Sequence, residues 1–493
     1  MSLFRKKSLN ILLSQAADSE KGLKRTLGAG ALVALGIGAI IGAGLFVRTA
    51  AAAGQHAGPA VTVSFLIAAI GCAFAGLCYA EFASMIPIAG SAYTYAYTTM
   101  GELVAWIIGW ALILEYALGA ATVSIAWSEF LNKLLDNRIP YEWTHSPFQS
   151  ALDSAGVMHH GICNAPALII LLLLSLLLIK GTQESALVNA LIVIIKMAIV
   201  LAFIFIGWQY IKPENHTPYL IPENAPPAIL PDGKPYSYEG FFNHGWGGVL
   251  RGAAIVFFAF IGFDAVSTAA QEAKNPKRDM PIGILGSLVV CTLLYVLFSW
   301  VLTGVAPYTD FVKEGKEASV AYAIDTYMKE YKWLSTAVTI GILAGFSSVI
   351  LVMLMGQSRV FFSMANDGLL PKVFSDLHPK FRTPYKSNIL LFLFVGVFAT
   401  LIPGDITGDL TSIGTLLAFV LVCIGIIIMR KSDPNTPRPF KTPLVPLVPI
   451  LGAVVCTAMI VSLDKVTLIS ALAWMALGLL IYFAYSRFHS KLK

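Results

Sequence analysis

The sequence is poor in charge, and its charged residues avoid long stretches of the chain. Of 493 residues, 13% are Asp, Glu, Lys or Arg, whereas 57% are hydrophobic. Soluble globular domains have roughly 25% charged residues, so the composition excludes that class. The first long apolar stretch, residues 27–47, contains no charge and is long enough to cross a bilayer. The chain is therefore predicted to be a membrane protein.

Several functional classes lack their usual signatures. Five of the six cysteines fall inside apolar stretches and Cys163 stands alone, so neither a disulfide framework nor a metal site is predicted. No HExxH motif or His/Asp cluster occurs in the apolar stretches, which argues against a membrane-bound metalloenzyme. The net charge of +6 follows from a bias of Lys and Arg between loops and gives no reason to expect a nucleic-acid partner. No enzyme activity, cofactor or metal is predicted.

Apolar stretches recur along the chain and predict about twelve membrane spans. They are centred on residues 28–50, 59–80, 102–131, 166–180, 185–210, 247–271, 281–306, 333–364, 387–402, 410–430, 443–463 and 466–486. Lys and Arg are enriched in the loops on one side, which predicts that both termini are cytoplasmic. The sequence therefore predicts an all-α polytopic protein of the cell membrane, surrounded by the lipid bilayer.

Glycines interrupt two of the apolar stretches at corresponding positions. The first stretch contains six glycines between residues 27 and 47, and the sixth stretch contains Gly262. Each glycine costs a helix roughly 1 kcal/mol relative to alanine, so both helices are expected to break at mid-membrane depth. Paired breaks one half-repeat apart are typical of inverted-repeat transporters and mark their binding site. Packing notches of the Gly38-xxx-Gly42 kind are an alternative explanation for the first run.

The breaks also predict how the chain is organised. Five spans per repeat place the breaks in spans 1 and 6, and leave the last two spans outside the repeats. The predicted units are a cytoplasmic N-terminal segment (1–26), a transporter core (27–430) with repeat one (27–211) and repeat two (246–430), two additional spans (443–487) and a cytoplasmic tail (488–493).

Broken helices leave unpaired backbone groups that suit a zwitterion. N–H groups at the start of a half-helix bind anions, and free carbonyls at the end of the preceding half bind cations. An amino acid carries both charges, so its carboxylate is expected at the first break and its ammonium group at the second. The predicted binding residues are Ile41, Gly42, Ala43 and Gly44 in span 1, and Phe258, Ala259 and Ile261 in span 6. A nucleotide-binding glycine loop is a poorer explanation, because no strand or following acid accompanies the run.

Ionisable side chains lie deep inside three spans. Lys196 is central in span 5, Glu115 is deep in span 3, and Asp264 follows the break in span 6. Charges at this depth cost several kcal/mol and are functional candidates. Lys196 and Glu115 are predicted to exchange a proton as the site opens and closes, with a static ion pair as the alternative. Asp264, Phe258 and Phe263 are predicted to gate the site, although phenylalanines in such helices often serve only in packing.

Eight motifs resemble those of the amino acid–polyamine–organocation transporter superfamily. They are Gly36–Phe46, Phe257–Pro281, Cys78–Phe82, Gly90–Tyr93, Gly101–Leu103, Ser358–Val360, Met364–Pro371 and Arg438–Pro443. The last six are similar to the cationic amino acid transporter branch, and together the motifs extend in order over nearly the whole chain. The resemblance implies a LeuT-type fold of two inverted five-helix repeats, alternating access, and L-amino acids as substrates.

The resemblance also implies roles for single residues. In proton-coupled bacterial relatives a lysine of span 5 takes the place of a sodium ion between spans 1 and 8, and Lys196 matches that lysine. Its implied partners are the Gly38 carbonyl and a hydroxyl of Ser347 or Ser348. The aromatic gate of the superfamily corresponds to Phe258.

At Met353 this chain departs from the cationic members of the branch. Those members have a small polar residue at this position of span 8, and a bulky thioether would shorten the substrate pocket. A small neutral amino acid such as alanine is therefore expected slightly ahead of arginine or lysine, with a proton as the coupling ion. An amino acid sensor and an amino acid exchanger with the same fold are the alternatives. A small regulatory membrane protein or a sterol-like lipid is left open as a further partner.

Overall fold

The described part of the chain is mostly helical. The computed structural model describes residues 5–7, 27–86, 91–153, 155–181, 186–268, 273–313 and 319–491. The predicted N-terminal segment 1–26 lies outside these ranges except for residues 5–7. Within these ranges seven helices are long and apolar enough to cross a membrane, and five further apolar helices are shorter. This pattern confirms the predicted all-α, polytopic membrane fold.

Twelve spans follow one another through the described residues. Their helices are Ala29–Ile40, Gly44–Arg48, Thr49–Ala52 and Ala53–Ala57 (span 1), Val61–Met85 (span 2), Glu102–Ile113, Leu114–Leu118 and Gly119–Leu134 (span 3), Ala165–Lys180 (span 4), Ala186–Gly207 (span 5), Gly245–Val256, Phe257–Phe260 and Ala265–Thr268 (span 6), Pro276–Val305 (span 7), Lys332–Asn366 (span 8), Tyr385–Leu401 (span 9), Gly404–Ser432 (span 10), Leu447–Ser462 (span 11), and Lys465–Ile481, Tyr482–Ser486 and Arg487–His489 (span 12). Because their number is even, both ends of the described chain lie on one side of the bundle, which is called the inner side below after the orientation that the sequence predicts.

The packing of the spans follows the inverted repeat. Span 1 packs against span 7, and span 6 packs against span 2. The second contact is the first with each span replaced by its counterpart in the other repeat, that is, span 6 for span 1 and span 2 for span 7. The same exchange relates the contact of spans 5 and 8 to that of spans 10 and 3. Spans 2 and 7, 3 and 8, and 4 and 9 each contact their own counterpart. This is the arrangement expected of two five-span halves of opposite orientation.

Span 1 is longer than predicted. The predicted span was centred on residues 28–50, but helical turns continue to Ala57. Gly58 then turns the chain into span 2 with a positive φ of 59°. Arg48 consequently lies inside the span and is 3% exposed. A charge is tolerated there because an acidic partner from span 10 neutralises it, as described below.

Two short hairpins cover the outer side. Strand β1 (Ser150–Leu152) pairs antiparallel with β2 (Met158–His160) in the loop between spans 3 and 4. Strand β3 (Ala228–Ile229) pairs antiparallel with β4 (Pro235–Tyr236) in the loop between spans 5 and 6. The N–H of Leu152 donates a hydrogen bond of 3.0 Å to the carbonyl of Pro231. The two outer loops are thus joined to each other.

The two ends of the described chain meet on the inner side. The N–H of Glu102, at the start of span 3, donates to the Arg5 carbonyl at 2.9 Å. The carboxylate of Glu102 also accepts a hydrogen bond from the hydroxyl of Ser490. Lys7 forms an ion pair of 2.8 Å with Asp367, which follows span 8. Residues from both ends therefore bind the inner ends of spans 3 and 8.

Candidate functional site

Both predicted helix breaks are present in the structure. In span 1 the α-helix ends at Ile40, and Ile41 is extended with a ψ of 106°. In span 6 the last helical turn ends at Phe260, and Ile261 is extended with a ψ of 135°. Gly262 follows with a φ of 107°, a conformation that favours glycine. Each break thus lies next to a glycine that the sequence analysis selected.

The two breaks touch through their backbones. A Cβ atom on Gly44 would overlap the backbone of Ala259, and a Cβ atom on Gly262 would lie 2.9 Å from the Ala39 carbonyl oxygen. Gly44 therefore has a packing role in addition to its place at the break. The first N–H groups of a helix and its last carbonyls have no partner within the helix. At this point of contact, such groups from two helices face the same small region, which suits the two charges of a zwitterion.

Tyr295 of span 7 joins the two breaks, and the sequence analysis missed it. Its hydroxyl donates towards the carbonyls of Ile40 at 3.0 Å and Ala259 at 2.9 Å. Its buried ring packs against Phe65 and Phe260, with ring centroids 5.4 and 5.2 Å away. A carbonyl oxygen has two lone pairs, so the Ala259 oxygen keeps a second one beyond this hydrogen bond. The available signal was a tyrosine in the middle of an apolar span.

Lys196 reaches from span 5 to the inner half of span 1. Its Nζ donates a hydrogen bond of 2.9 Å to the Gly38 carbonyl, and the residue is 3% exposed. A Cβ atom on Gly345 of span 8 would lie 2.6 Å from Lys196 Cε, so this glycine makes room for the lysine. The lysine therefore lies between spans 1, 5 and 8, where the resemblance placed it.

The two serines proposed as partners of Lys196 are consecutive residues of span 8. The hydroxyl of Ser347 donates to the Leu343 carbonyl at 2.9 Å and accepts from Trp127 Nε1 at 3.1 Å. Ser348 is 4% exposed. The Gly38 carbonyl is thus the described partner of Lys196, and a role for either serine stays a prediction.

Glu115 and Asp264 share a buried polar cluster. A π-helical turn, Leu114–Leu118, carries Glu115 and Tyr116 in the middle of span 3, and such turns are frequent at functional sites. Tyr116 donates a hydrogen bond of 2.9 Å to Asp264 Oδ2. Glu115 is fully buried beside Asp264 and Thr415.

The predicted pairing of Glu115 with Lys196 is not formed. Among the residues that the structure describes, no hydrogen bond or ion pair joins Glu115 to Lys196. The reason is geometric, since Lys196 faces spans 1 and 8, whereas Glu115 faces spans 6 and 10. An exchange of a proton between the two groups stays a prediction.

The two candidate gate phenylalanines have different surroundings. The ring of Phe263 packs against Tyr79 of span 2 and Phe419 of span 10, with centroids 5.8 and 5.0 Å away. These contacts fit the packing alternative for Phe263. Phe258 is 4% exposed in the 3₁₀ turn that leads into the break of span 6. A gating role for Phe258 stays a prediction.

Met353 lies on the face of span 8 that runs along the first break. One turn earlier, Val349 Cγ2 would be 3.3 Å from a Cβ atom on Gly42. Met353 itself faces span 3, where a Cβ atom on Gly119 would lie 2.8 Å from its Sδ. Thr411 of span 10 closes the same corner, with Cγ2 3.4 Å from that Cβ position. A place for Met353 at the floor of a substrate pocket stays a prediction.

An ion pair that was not predicted connects the outer half of span 1 to span 10. Arg48 Nη2 contacts Asp409 Oδ1, and both residues are buried. Gly408 leaves room for the guanidinium, whose Cζ would lie 3.1 Å from a Cβ atom at that position. A charge inside an apolar stretch was the available signal. The pair holds together two spans on the outer side of the breaks.

Two touching helix breaks inside a bundle of inverted repeats define a membrane transporter. The chain belongs to the amino acid permease family, whose profile matches residues 27–484. As a permease it is not an enzyme. The predicted membership of the amino acid–polyamine–organocation superfamily is confirmed.

Three similar proteins are named for different substrates. The chain is 44% identical to the branched-chain amino acid permease of Bacillus subtilis, over 100% of this chain and 99% of that protein. It is 40% identical to the methylthioribose transporter of the same organism, with the same coverage. It is 34% identical to the vacuolar cationic amino acid transporter 4 of Arabidopsis thaliana, over 88% of this chain and 68% of that protein. The names of these relatives thus refer to substrates of different charge.

Proposed function

We propose that this protein imports neutral, apolar L-amino acids across the cell membrane by alternating access, in symport with a proton. The contact of the two breaks supports a substrate with a carboxylate and an ammonium group. Met353 supports a neutral side chain, because a thioether offers no partner for a cationic group. Because a relative is named as a branched-chain amino acid permease, we extend the proposed substrates from alanine-like amino acids to larger aliphatic ones. We also propose that both termini are cytoplasmic, because Lys and Arg are enriched in the loops on that side.

The hydrogen bond from Lys196 Nζ to the Gly38 carbonyl carries the coupling part of the proposal. A protonated amine makes a charge-assisted hydrogen bond, worth roughly 1.5–3 kcal/mol, and a neutral amine makes a weaker one. Protonation of Lys196 therefore holds the inner half of span 1 against spans 5 and 8. Loss of the proton weakens this hold and favours the movement that opens the site to the inside. Gly38 lies in the half-helix Ala29–Ile40, four residues before Gly42 in the break. Both the proton on Lys196 and the substrate at the break therefore act on this half-helix.

The coupling is tested with Lys196→Ala in proteoliposomes. We expect this variant to lose uptake driven by an inward proton gradient and to keep exchange of labelled for unlabelled substrate. Lys212→Ala, in an outer loop, is the matched control and should behave like the wild type. Gradient-driven uptake by Lys196→Ala, or wild-type uptake that follows a sodium gradient instead, would contradict the proposal.

The substrate is tested by competition. Each of the twenty amino acids competes with labelled leucine for uptake by the wild type, and we expect neutral aliphatic ones to compete best. Methylthioribose is the second candidate substrate, because a relative that is 40% identical over its whole length is named for it. Competition by methylthioribose but by no amino acid would favour that candidate. Binding without uptake would favour a sensor, and uptake only into preloaded vesicles would favour an exchanger.

A further inference from the structure

Spans 3 and 8 pack through two reciprocal pairs, each of a large residue and a glycine. Met353 of span 8 lies over Gly119 of span 3, whose Cβ would be 2.8 Å from Sδ and 3.2 Å from Cε. Tyr116 of span 3 lies over Gly356 of span 8, whose Cβ would be 3.2 Å from Cε1. On each span the large residue and the glycine are three positions apart and are neighbours on the helix surface. The inverted repeat exchanges spans 3 and 8, and it relates the two pairs.

The two large residues have different side-chain groups near the two helix breaks, a hydroxyl in Tyr116 and a thioether in Met353. Tyr116 donates its hydroxyl to Asp264 in the break of span 6. Met353 follows Val349, which faces Gly42 in the break of span 1. Methionine is unbranched and has three rotatable bonds, so its thioether takes the space that its surroundings leave. Here that space is the notch at Gly119.

We propose that Gly119 is a specificity-determining position, which acts through Met353 to set the depth of the substrate side-chain pocket. The proposal rests on the proposed amino acid transport and names a residue that positions the pocket floor. Non-bonded carbon and sulfur atoms pack at about 3.5–4.0 Å, so a methyl group at position 119 would displace the thioether by about 1 Å. Thr411 of span 10 borders the same notch, with Cγ2 3.4 Å from the Cβ position on Gly119, so we infer that the displaced thioether moves away from span 10 and towards the substrate. The pocket becomes shorter by about 1 Å, roughly the length that one methylene group adds to an aliphatic chain.

The test is Gly119→Ala, measured as KM and maximal uptake rate for alanine and for leucine. One methylene group in a hydrophobic pocket changes discrimination by about tenfold to about 200-fold. We expect the ratio of KM for leucine to KM for alanine to rise at least about tenfold, with the maximal rate for alanine retained. A structural defect alone would lower both uptake rates and leave this ratio unchanged.

Gly109→Ala is the matched control. Gly109 also lies in span 3 and also faces a methionine of span 8, because its Cβ would be 2.7 Å from Met364 Sδ and 2.8 Å from Cε. This pair is about 15 Å nearer the inner side, from the helical rise over ten residues. The same crowding there should leave the ratio of the two KM values as in the wild type. A Gly109→Ala variant that shifts the ratio equally would overturn the proposal.

The double variant Gly119→Ala/Met353→Ala separates direct from indirect action. Once the thioether is absent, an alanine at position 119 has nothing to push into the pocket, so the double variant should have the same substrate ranking as Met353→Ala. A further shift in the double variant would overturn the proposal, and this comparison decides the question even if Gly119→Ala does not fold. Wild-type protein that takes up no amino acid would refute the proposed function, whereas wild-type uptake with an unchanged ratio in Gly119→Ala refutes only the role of Gly119.

Discussion

Replacing Tyr295 with Phe removes a single hydroxyl from the point where the two breaks meet. The hydroxyl lies 3.0 Å from the Ile40 carbonyl and 2.9 Å from the Ala259 carbonyl, and its one proton serves one of them at a time. The substitution therefore leaves one buried carbonyl without a donor, at a cost of about 2 kcal/mol. If the whole cost falls on the conformation that binds substrate, it corresponds to about a 30-fold increase in KM. The ring, with its packing contacts, is retained.

The assay is initial-rate uptake of labelled substrate in proteoliposomes, together with thermal unfolding of the purified protein. Tyr238→Phe is the control, because Tyr238 is also buried and donates to a backbone carbonyl, that of Gly54, at 2.8 Å. That carbonyl lies at the outer end of span 1, away from the breaks. Both variants should lose stability, and we expect only Tyr295→Phe to raise KM. A KM within twofold of the wild type in Tyr295→Phe would refute the role of the hydroxyl in holding the breaks.

Three further outcomes are expected. Arg48→Ala and Asp409→Ala should each lower the free energy of unfolding by about 3–5 kcal/mol, because each leaves a buried charge unpaired. The double variant should lose less than the sum of the two single losses, and additive losses would contradict a direct ion pair. Glu81→Gln should lower the melting temperature, since Glu81 is fully buried and accepts two hydrogen bonds from Arg430, at 3.1 and 2.8 Å; an unchanged melting curve would contradict this. Met353→Ser should allow arginine to compete for uptake, and an unchanged competition profile would remove Met353 from the pocket floor.

The backbone of the site could be predicted from the sequence, because glycine acts locally. Each glycine weakens a helix wherever the helix lies, so the run before Gly44 and the single Gly262 identified both breaks without any tertiary information. The position of Lys196 beside the Gly38 carbonyl came from the resemblance to known transporters. A lone lysine in an apolar span indicates a functional residue but not the atom to which it binds.

The side-chain partnerships could not be predicted, because they join residues far apart in the chain. Glu115 and Lys196 are both buried and opposite in charge, but the faces of spans 3 and 5 that carry them point to different neighbours. No role was predicted for Tyr295, because the role of its hydroxyl depends on the two carbonyls that it contacts, and the sequence does not show these contacts. The ion pair of Arg48 with Asp409 was not predicted, because the two residues are 361 positions apart in sequence.

The meeting of both chain ends at Glu102 has a practical consequence for anyone who labels this protein. Arg5 and Ser490 each bind the same residue, so a fluorophore attached near one end starts close to a fluorophore attached near the other. Both ends also border spans 3 and 8, whose facing sides line the site. A fusion partner or purification tag at either end is therefore an addition to the inner surface of the transporter, and energy transfer between the two ends would report directly whether that surface stays assembled during transport.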